Sequence, residues 1–188
     1  REEAIKMIRY AADHGVNYFD SALMYFDGDC DKLLGEALAG GYREKVKVVS
    51  KIPPGKVNSE EEFFRILDGM LEKLQTDHLD VLYTHWQTPD FGIYPLEETV
   101  EAMMKLKEQG KIRAIGASNV TADIIRGYCK YGQLDVIQEK YSLLTRRVEK
   151  QLLPTCKELG VSVQAYSPLE QGLLTGKVTM DTTYPEGS

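Results

Sequence analysis

Two rhythms of apolar and polar positions take turns along the chain. Residues 2–14 place Ala4, Ile5, Ile8, Ala11 and Ala12 on one stripe, the spacing of a helix that buries a single face, and Gly15 supplies its stop. An extended run follows from Val16 to Asp20, and residues 31–39 read as a second short amphipathic helix. Val46 to Lys51 is rich in β-branched residues and predicts a strand. Pro53-Pro54-Gly55 breaks regular structure. Ser59 with Glu62 forms a capping-box signature that opens a helix through Leu74.

The alternation then continues. Strands are predicted at Leu79–Thr84, Ile112–Ala117, Leu134–Gln138 and Val161–Tyr166. Helices are predicted at Leu96–Gln109, from a Thr121 cap to Tyr131, and over 148–159. Six strands separated by helical connections imply parallel strands with crossover helices packed outside them. An open doubly wound sheet and a closed (β/α)8 barrel both satisfy that pattern. The GxGxxG fingerprint that a dinucleotide-binding open sheet would favour is absent. No composition shift divides the chain, so residues 1–188 are expected to form a single domain.

Composition narrows the functional classes. The formal net charge is −6, which disfavours a nucleic-acid partner that needs a basic face, and also disfavours an anionic membrane surface. No apolar run is long enough to span a bilayer and no signal-peptide pattern is visible. The odd set Cys30, Cys129 and Cys156 carries no CxxC spacing and suggests free thiols in a reducing compartment, so a cytoplasmic location is expected. The chain begins at Arg1 rather than Met, which leaves its true N-terminus open.

Residues with chemical capacity fall at the ends of the strands. Asp20 ends the first, Lys51 the second, and His85 follows the third. Ser118 and Asn119 follow the fourth, Gln138 ends the fifth, and Tyr166 and Ser167 end the sixth. In a parallel α/β fold these ends share one face, where barrel enzymes place their chemistry. A lone Asp, Lys or His after a strand is more often a solvated loop residue than a catalyst; six consecutive strand ends carrying such groups is harder to dismiss. Lys51 beside Val48-Val49 is costly to bury without a partner, and Asp20 is the natural one. Such a set suits proton transfer. A neighbouring ammonium lowers the pKa of a phenol such as Tyr25, Asp20 would hold Lys51 charged, and His85 could donate to a substrate oxygen. His14, His78 and His85 form no metal-ligand spacing.

At this point a family resemblance emerges. Gly15-Val16-Asn17-Tyr18-Phe19-Asp20-Ser21-Ala22-Leu23-Met24-Tyr25 resembles the aldo-keto reductase signature. Lys51 and His85 match that family's strand-end lysine and histidine. Gly110-Lys111-Ile112-Arg113-Ala114-Ile115-Gly116-Ala117-Ser118-Asn119 resembles its GKIRxIGxSN block, and Gln138 to Leu144 its QxxYNLL block. Ala165 to Leu169, with Gly172 to Lys177, resembles its cofactor-contacting stretch.

The resemblance implies a (β/α)8 TIM barrel, present as six of eight strands and lacking the first and last. It implies an oxidoreductase that reduces the carbonyl of a small aldehyde, ketone or sugar with hydride from NADPH, NADH being the other candidate. Tyr25 would be the proton donor, Lys51 and Asp20 its tuning pair, and His85 the substrate-orienting group. Ser118, Asn119 and Gln138 would hydrogen-bond the nicotinamide carboxamide, Tyr166 would stack on its ring, and Ser167 and Leu169 would lie near the pyrophosphate. Ser21, Cys30-Asp31, Val120 and Ser142 depart from the pattern without touching the four catalytic candidates. Trp86 and Phe26 flank catalytic positions, where each could line a substrate pocket or simply pack. Three other readings stay open: a nucleotide-sensing subunit with little turnover, an inactive fragment, and an aldolase-type lyase with Lys51 as Schiff base.

Overall fold

The structure is a computed structural model that describes all residues except 54, 56, 58, 87–94, 180 and 184–188. Helix and strand alternate from end to end: α1 Glu2–Asp13, β1 Tyr18–Asp20, α2 Asp29–Leu38, β2 Lys47–Ile52, α3 Glu60–Leu74, β3 Leu79–Thr84, α4 Leu96–Glu108, β4 Ile112–Ser118, α5 Ala122–Tyr131, β5 Val136–Lys140, α6 Leu152–Leu159 and β6 Ser162–Tyr166. The strands pair in chain order and every pairing is parallel.

The predicted caps do their work. The Ser59 hydroxyl accepts the Glu62 amide, and the Thr121 hydroxyl accepts the Ile124 amide, each satisfying an orphan donor of a first helical turn. Most element boundaries shift from the sequence reading by one to four residues, three helix and strand starts among them. Helix α2 begins at Asp29, because Gly28 at φ +86° turns the chain into it earlier than the apolar stripe suggests. Strand β5 begins at Val136, since Leu134 is buried before pairing starts. Helix α6 begins at Leu152 behind a 3-10 turn at Arg147–Glu149, with Pro154 in its first turn, where a missing N–H does no harm.

Strand side chains divide by the two-residue alternation of the pleat. One set packs under the helices in a large core that includes Val48, Leu82, Ile115 and Ile137 with Leu67, Met103 and Tyr128. The other forms a separate cluster of Val49, Val81 and Tyr83, flanked by Tyr18, Ala114 and Val136. That second set lies on the concave face of a strongly curled sheet. The Tyr18 and Tyr83 hydroxyls both donate to Gln164 Oε1, at 2.9 and 2.8 Å. Tyr18 and Gln164 sit on β1 and β6, opposite edges of the sheet. In a flat sheet five strand spacings would hold those edges about 24 Å apart. The chain is therefore an arc of barrel wall with its lumen filled by side chains.

Gly116 makes room for that filling. A Cβ placed there would lie 2.4 Å from the ring of Tyr83, whose side chain is fully buried. Gly116→Ala is expected to destabilise the fold by about 1–3 kcal/mol through overpacking. Urea unfolding checks this, and an unchanged midpoint would show that the lumen is not packed as described.

Candidate active site

The alternation that sends Tyr18, Val49, Tyr83 and Val136 into the lumen sends the lumen-facing residue two positions later to its C-terminal mouth. On β1, β2 and β5 these residues are Asp20, Lys51 and Gln138. Lys51 is 1% exposed, yet its ammonium does not lack partners. It donates to Asp20 Oδ1 at 2.6 Å and to the Ser21 carbonyl at 2.9 Å. The other Asp20 oxygen accepts from Gln138 Nε2 at 3.2 Å. Asp20 thus ties β1 to β2 and, across the mouth, to β5. Behind this pair, Asp31 on α2 is fully buried and accepts from the Ser50 hydroxyl at 3.2 Å.

Tyr25 follows β1 in a short 3-10 turn, its amide donating to the Ala22 carbonyl at 2.9 Å. The turn is sharpened by left-handed backbone at Phe26 and Asp27. Lys51 Nζ lies 5.4 Å from the centroid of the Tyr25 ring. The Tyr25 ring meets the His85 ring edge-on at 5.8 Å, and His85 stacks on Trp86 at 3.8 Å. His85 is 5% exposed, and its Nδ1 is buried without a hydrogen-bond partner among the described residues. Burial, with Lys51 nearby, lowers the imidazole pKa to about 4, so it is neutral near pH 7 and can donate from one nitrogen.

One expectation needs correcting. Lys51 was expected to bring the Tyr25 phenol below its ordinary pKa. Instead the phenol is raised, first by its partial burial and then by the negative charge of Asp20. Asp20 sits against the ammonium and offsets its field. A raised phenol keeps its proton at neutral pH, the state a proton donor requires, and the Lys51 charge is then available to stabilise the phenolate left after transfer.

Asp20, Tyr25, His85, Ser118, Asn119, Gln138, Tyr166 and Ser167 all line one cavity of about 460 Å³, together with Trp86. Lys51 lies just beneath them, in contact with Asp20. Leu169 does not line this cavity and is 55% exposed, as the chain has by then turned away from the β6 end. Phe26 is 83% exposed and also lies outside it. Asn119 has a role that its sequence context did not reveal. Held at φ +56°, it donates to the His85 carbonyl at 3.0 Å and to Ser118 Oγ at 3.1 Å, and accepts the Tyr166 hydroxyl at 2.9 Å. It joins the ends of β3, β4 and β6 into one wall. A larger concavity of about 620 Å³ lies at the opposite ends of the strands. There Arg43, Lys47 and Arg113 converge on the single carboxylate of Asp80.

A curled parallel α/β wall with acid, base and amide groups gathered at its C-terminal mouth defines a barrel-type protein, its candidate site at the end where barrel enzymes keep theirs. The comparisons make the class specific. The model of the aldo/keto reductase family matches residues 1–188, and the chain belongs to that family. It is 42% identical to the NADH-specific methylglyoxal reductase of Escherichia coli (strain K12), over 96% of this chain and 61% of that protein. An aldo-keto reductase from Klebsiella pneumoniae, solved in complex with NADPH, superposes with a TM-score of 0.83 at 36% identity, covering 91% of this chain and 59% of that one. The glycerol dehydrogenase AKR11B4 from Gluconobacter oxydans superposes with a TM-score of 0.88 at 29% identity, covering 98% of this chain and 59% of that one. The chain thus spans about three fifths of the length of each of these three. The six parallel strands are part of the (β/α)8 barrel of the family. Among the described residues no helix is long and apolar enough to cross a membrane.

The His85 environment yields a pH prediction. Its folded pKa of about 4 lies below the unfolded value of 6.5, so the unfolded chain binds more protons between those values. Stability is therefore full above pH 6.5 and falls as pH drops toward 4, by about 3 kcal/mol from this group. His85→Gln is expected to remove that part of the slope in urea unfolding across pH 4–7. Equal slopes for the two proteins would place His85 in a solvated setting instead.

Proposed function

We propose that the protein reduces the carbonyl group of a small aldehyde or ketone to an alcohol, with NADPH or NADH as hydride source. The observation that carries this reading is the meeting, at one cavity, of a protonated phenol, a neutral buried imidazole and the solvent-accessible carboxylate of Asp20, which holds a buried ammonium beneath it. The site residues fit a nicotinamide. Gln138 uses one amide N–H on Asp20 and retains, among the described residues, a second N–H and a carbonyl for a carboxamide. Ser118 and Asn119 stand beside it, and Tyr166 presents a ring to the same cavity. Ser167 starts the adjoining loop, where the pyrophosphate would follow, and Leu169 lies farther along that loop.

Bound NADPH or NADH supplies the hydride. The protein's part is to orient and to manage the proton. His85 donates a hydrogen bond to the carbonyl oxygen and aligns it with Tyr25. Tyr25 gives its proton to that oxygen as negative charge develops on it. Lys51, held by Asp20 and the Ser21 carbonyl, stabilises the resulting phenolate. Among the described residues the Nδ1 of His85 has no hydrogen-bond partner, which supports a free bonding capacity on this imidazole.

Two further features support the finer parts of this reading. The 42% identical relative is named for methylglyoxal, which makes small α-oxo aldehydes the first substrates to try, and its named preference for NADH keeps both cofactors in play. The net charge of −6 and three free cysteines support a small-molecule enzyme of the cytoplasm rather than a nucleic-acid binder. We read residues 1–188 as part of one barrel domain.

The test is oxidation of NADPH or NADH with a panel of small aldehydes, comparing wild type with Tyr25→Phe. Turnover is expected to fall at least ~100-fold, the scale of a lost general acid, with cofactor affinity largely kept. Unchanged turnover would remove Tyr25 as the acid.

A further inference from the structure

The chain leaves β5 and β6 through two loops, and one carboxylate joins them. Glu170, in the loop after β6, is 11% exposed at its side chain, and its Oε2 lies 2.7 Å from Lys140 Nζ at the end of β5. Its Oε1 accepts from the Thr145 hydroxyl at 2.6 Å and from the Ser142 hydroxyl. Ser142 Oγ accepts in turn the backbone amides of Leu144 and Thr145, at 3.1 and 2.9 Å. A single acceptor group thus organises the whole turn at 140–145. The Lys140 pair, helped by the two hydroxyls, lowers the Glu170 pKa to about 2, so the clamp is charged throughout the physiological range.

The loop that Glu170 secures is a strained one. Ser167, Glu170, Gln171 and Gly172 all have positive φ, at 50°, 47°, 55° and 100°. Non-glycine residues hold that conformation only where their surroundings over-determine it. Of residues 167–172, Glu170 is the one whose side chain is hydrogen-bonded among the described residues. The loop springs directly from Tyr166 and Ser167, which line the cavity.

We propose that Glu170 is a positioning residue for the nicotinamide cofactor: by fastening the loop at 167–172 to the end of β5, it preforms the wall on which the cofactor rests. This rests on the reading of the cavity as the cofactor site. The loop's ordering is settled before binding, so affinity does not have to overcome it. The role also explains Ser142, where the family commonly has Asn, since a short hydroxyl reaches both Glu170 and the two amides.

Trp86 is the one tryptophan of the chain and lines the cavity, so its fluorescence reports cofactor binding directly. NADPH and NADH are titrated against wild type, Glu170→Gln, Glu170→Ala, Lys140→Met and the Glu170→Ala/Lys140→Met pair. Wild type is expected to show saturable quenching. Glu170→Ala and Lys140→Met should weaken binding about tenfold, and the double variant no more than the worse single, as for residues acting as one unit. Glu170→Gln, which keeps an acceptor for both hydroxyls, should fall between wild type and Glu170→Ala. In turnover the cofactor KM should rise more than kcat falls. Should Glu170→Ala fail to fold, Glu170→Gln and Lys140→Met carry the same test. Unchanged dissociation constants in these variants, with wild type still binding, would overturn the clamp alone. No quenching in wild type with either cofactor would overturn it together with the reading of the cavity.

Discussion

A buried ammonium is the constraint on which the site depends. Lys51 lies at the end of a strand, 1% exposed, where a lone positive charge would be prohibitively costly. The fold answers with Asp20 at 2.6 Å and a backbone carbonyl at 2.9 Å. That answer sets much else. It fixes β1 against β2, it draws Gln138 toward the same carboxylate from β5, and it leaves a cation beneath the Tyr25 ring. Partial burial first, and then the negative charge of Asp20, raise the phenol, which keeps its proton at neutral pH. On the proposed function, the same two residues, Lys51 and Asp20, serve architecture and chemistry.

Much of this was legible in the chain because it depends on local pattern. The two-residue and helical rhythms located the six α-helices and six strands of the described residues but not the 3-10 turns, and the hydroxyl caps at Ser59 and Thr121 marked two helix starts. The burial argument for Lys51 named its partner from adjacent strands alone. Boundaries slipped where a backbone conformation, rather than a side-chain pattern, decides them, as at Gly28 before α2 and at the 3-10 turn before α6.

What could not be read depends on curvature. No local feature announces that Tyr18, Tyr83 and Gln164 meet, since their strands are first, third and sixth and the contact exists only because the sheet curls. Asn119 is similar. Its neighbours suggested a ligand contact, but its left-handed backbone turns the amide toward His85, Ser118 and Tyr166, so it also ties the wall together. The phenol's raised pKa escaped the sequence for the same reason, because it depends on how deeply the ring is buried and how close Asp20 lies.

The most direct measurement of the central claim is a double-mutant cycle between Lys51→Met and Tyr25→Phe, read in the single-turnover rate of carbonyl reduction at saturating cofactor. If the ammonium acts by stabilising the Tyr25 phenolate, Lys51→Met has little left to remove once the phenol is gone, and the double variant is no slower than the slower single. Rate losses that multiply, each variant costing its full factor in the other's background, would contradict the account and separate the lysine from the tyrosine.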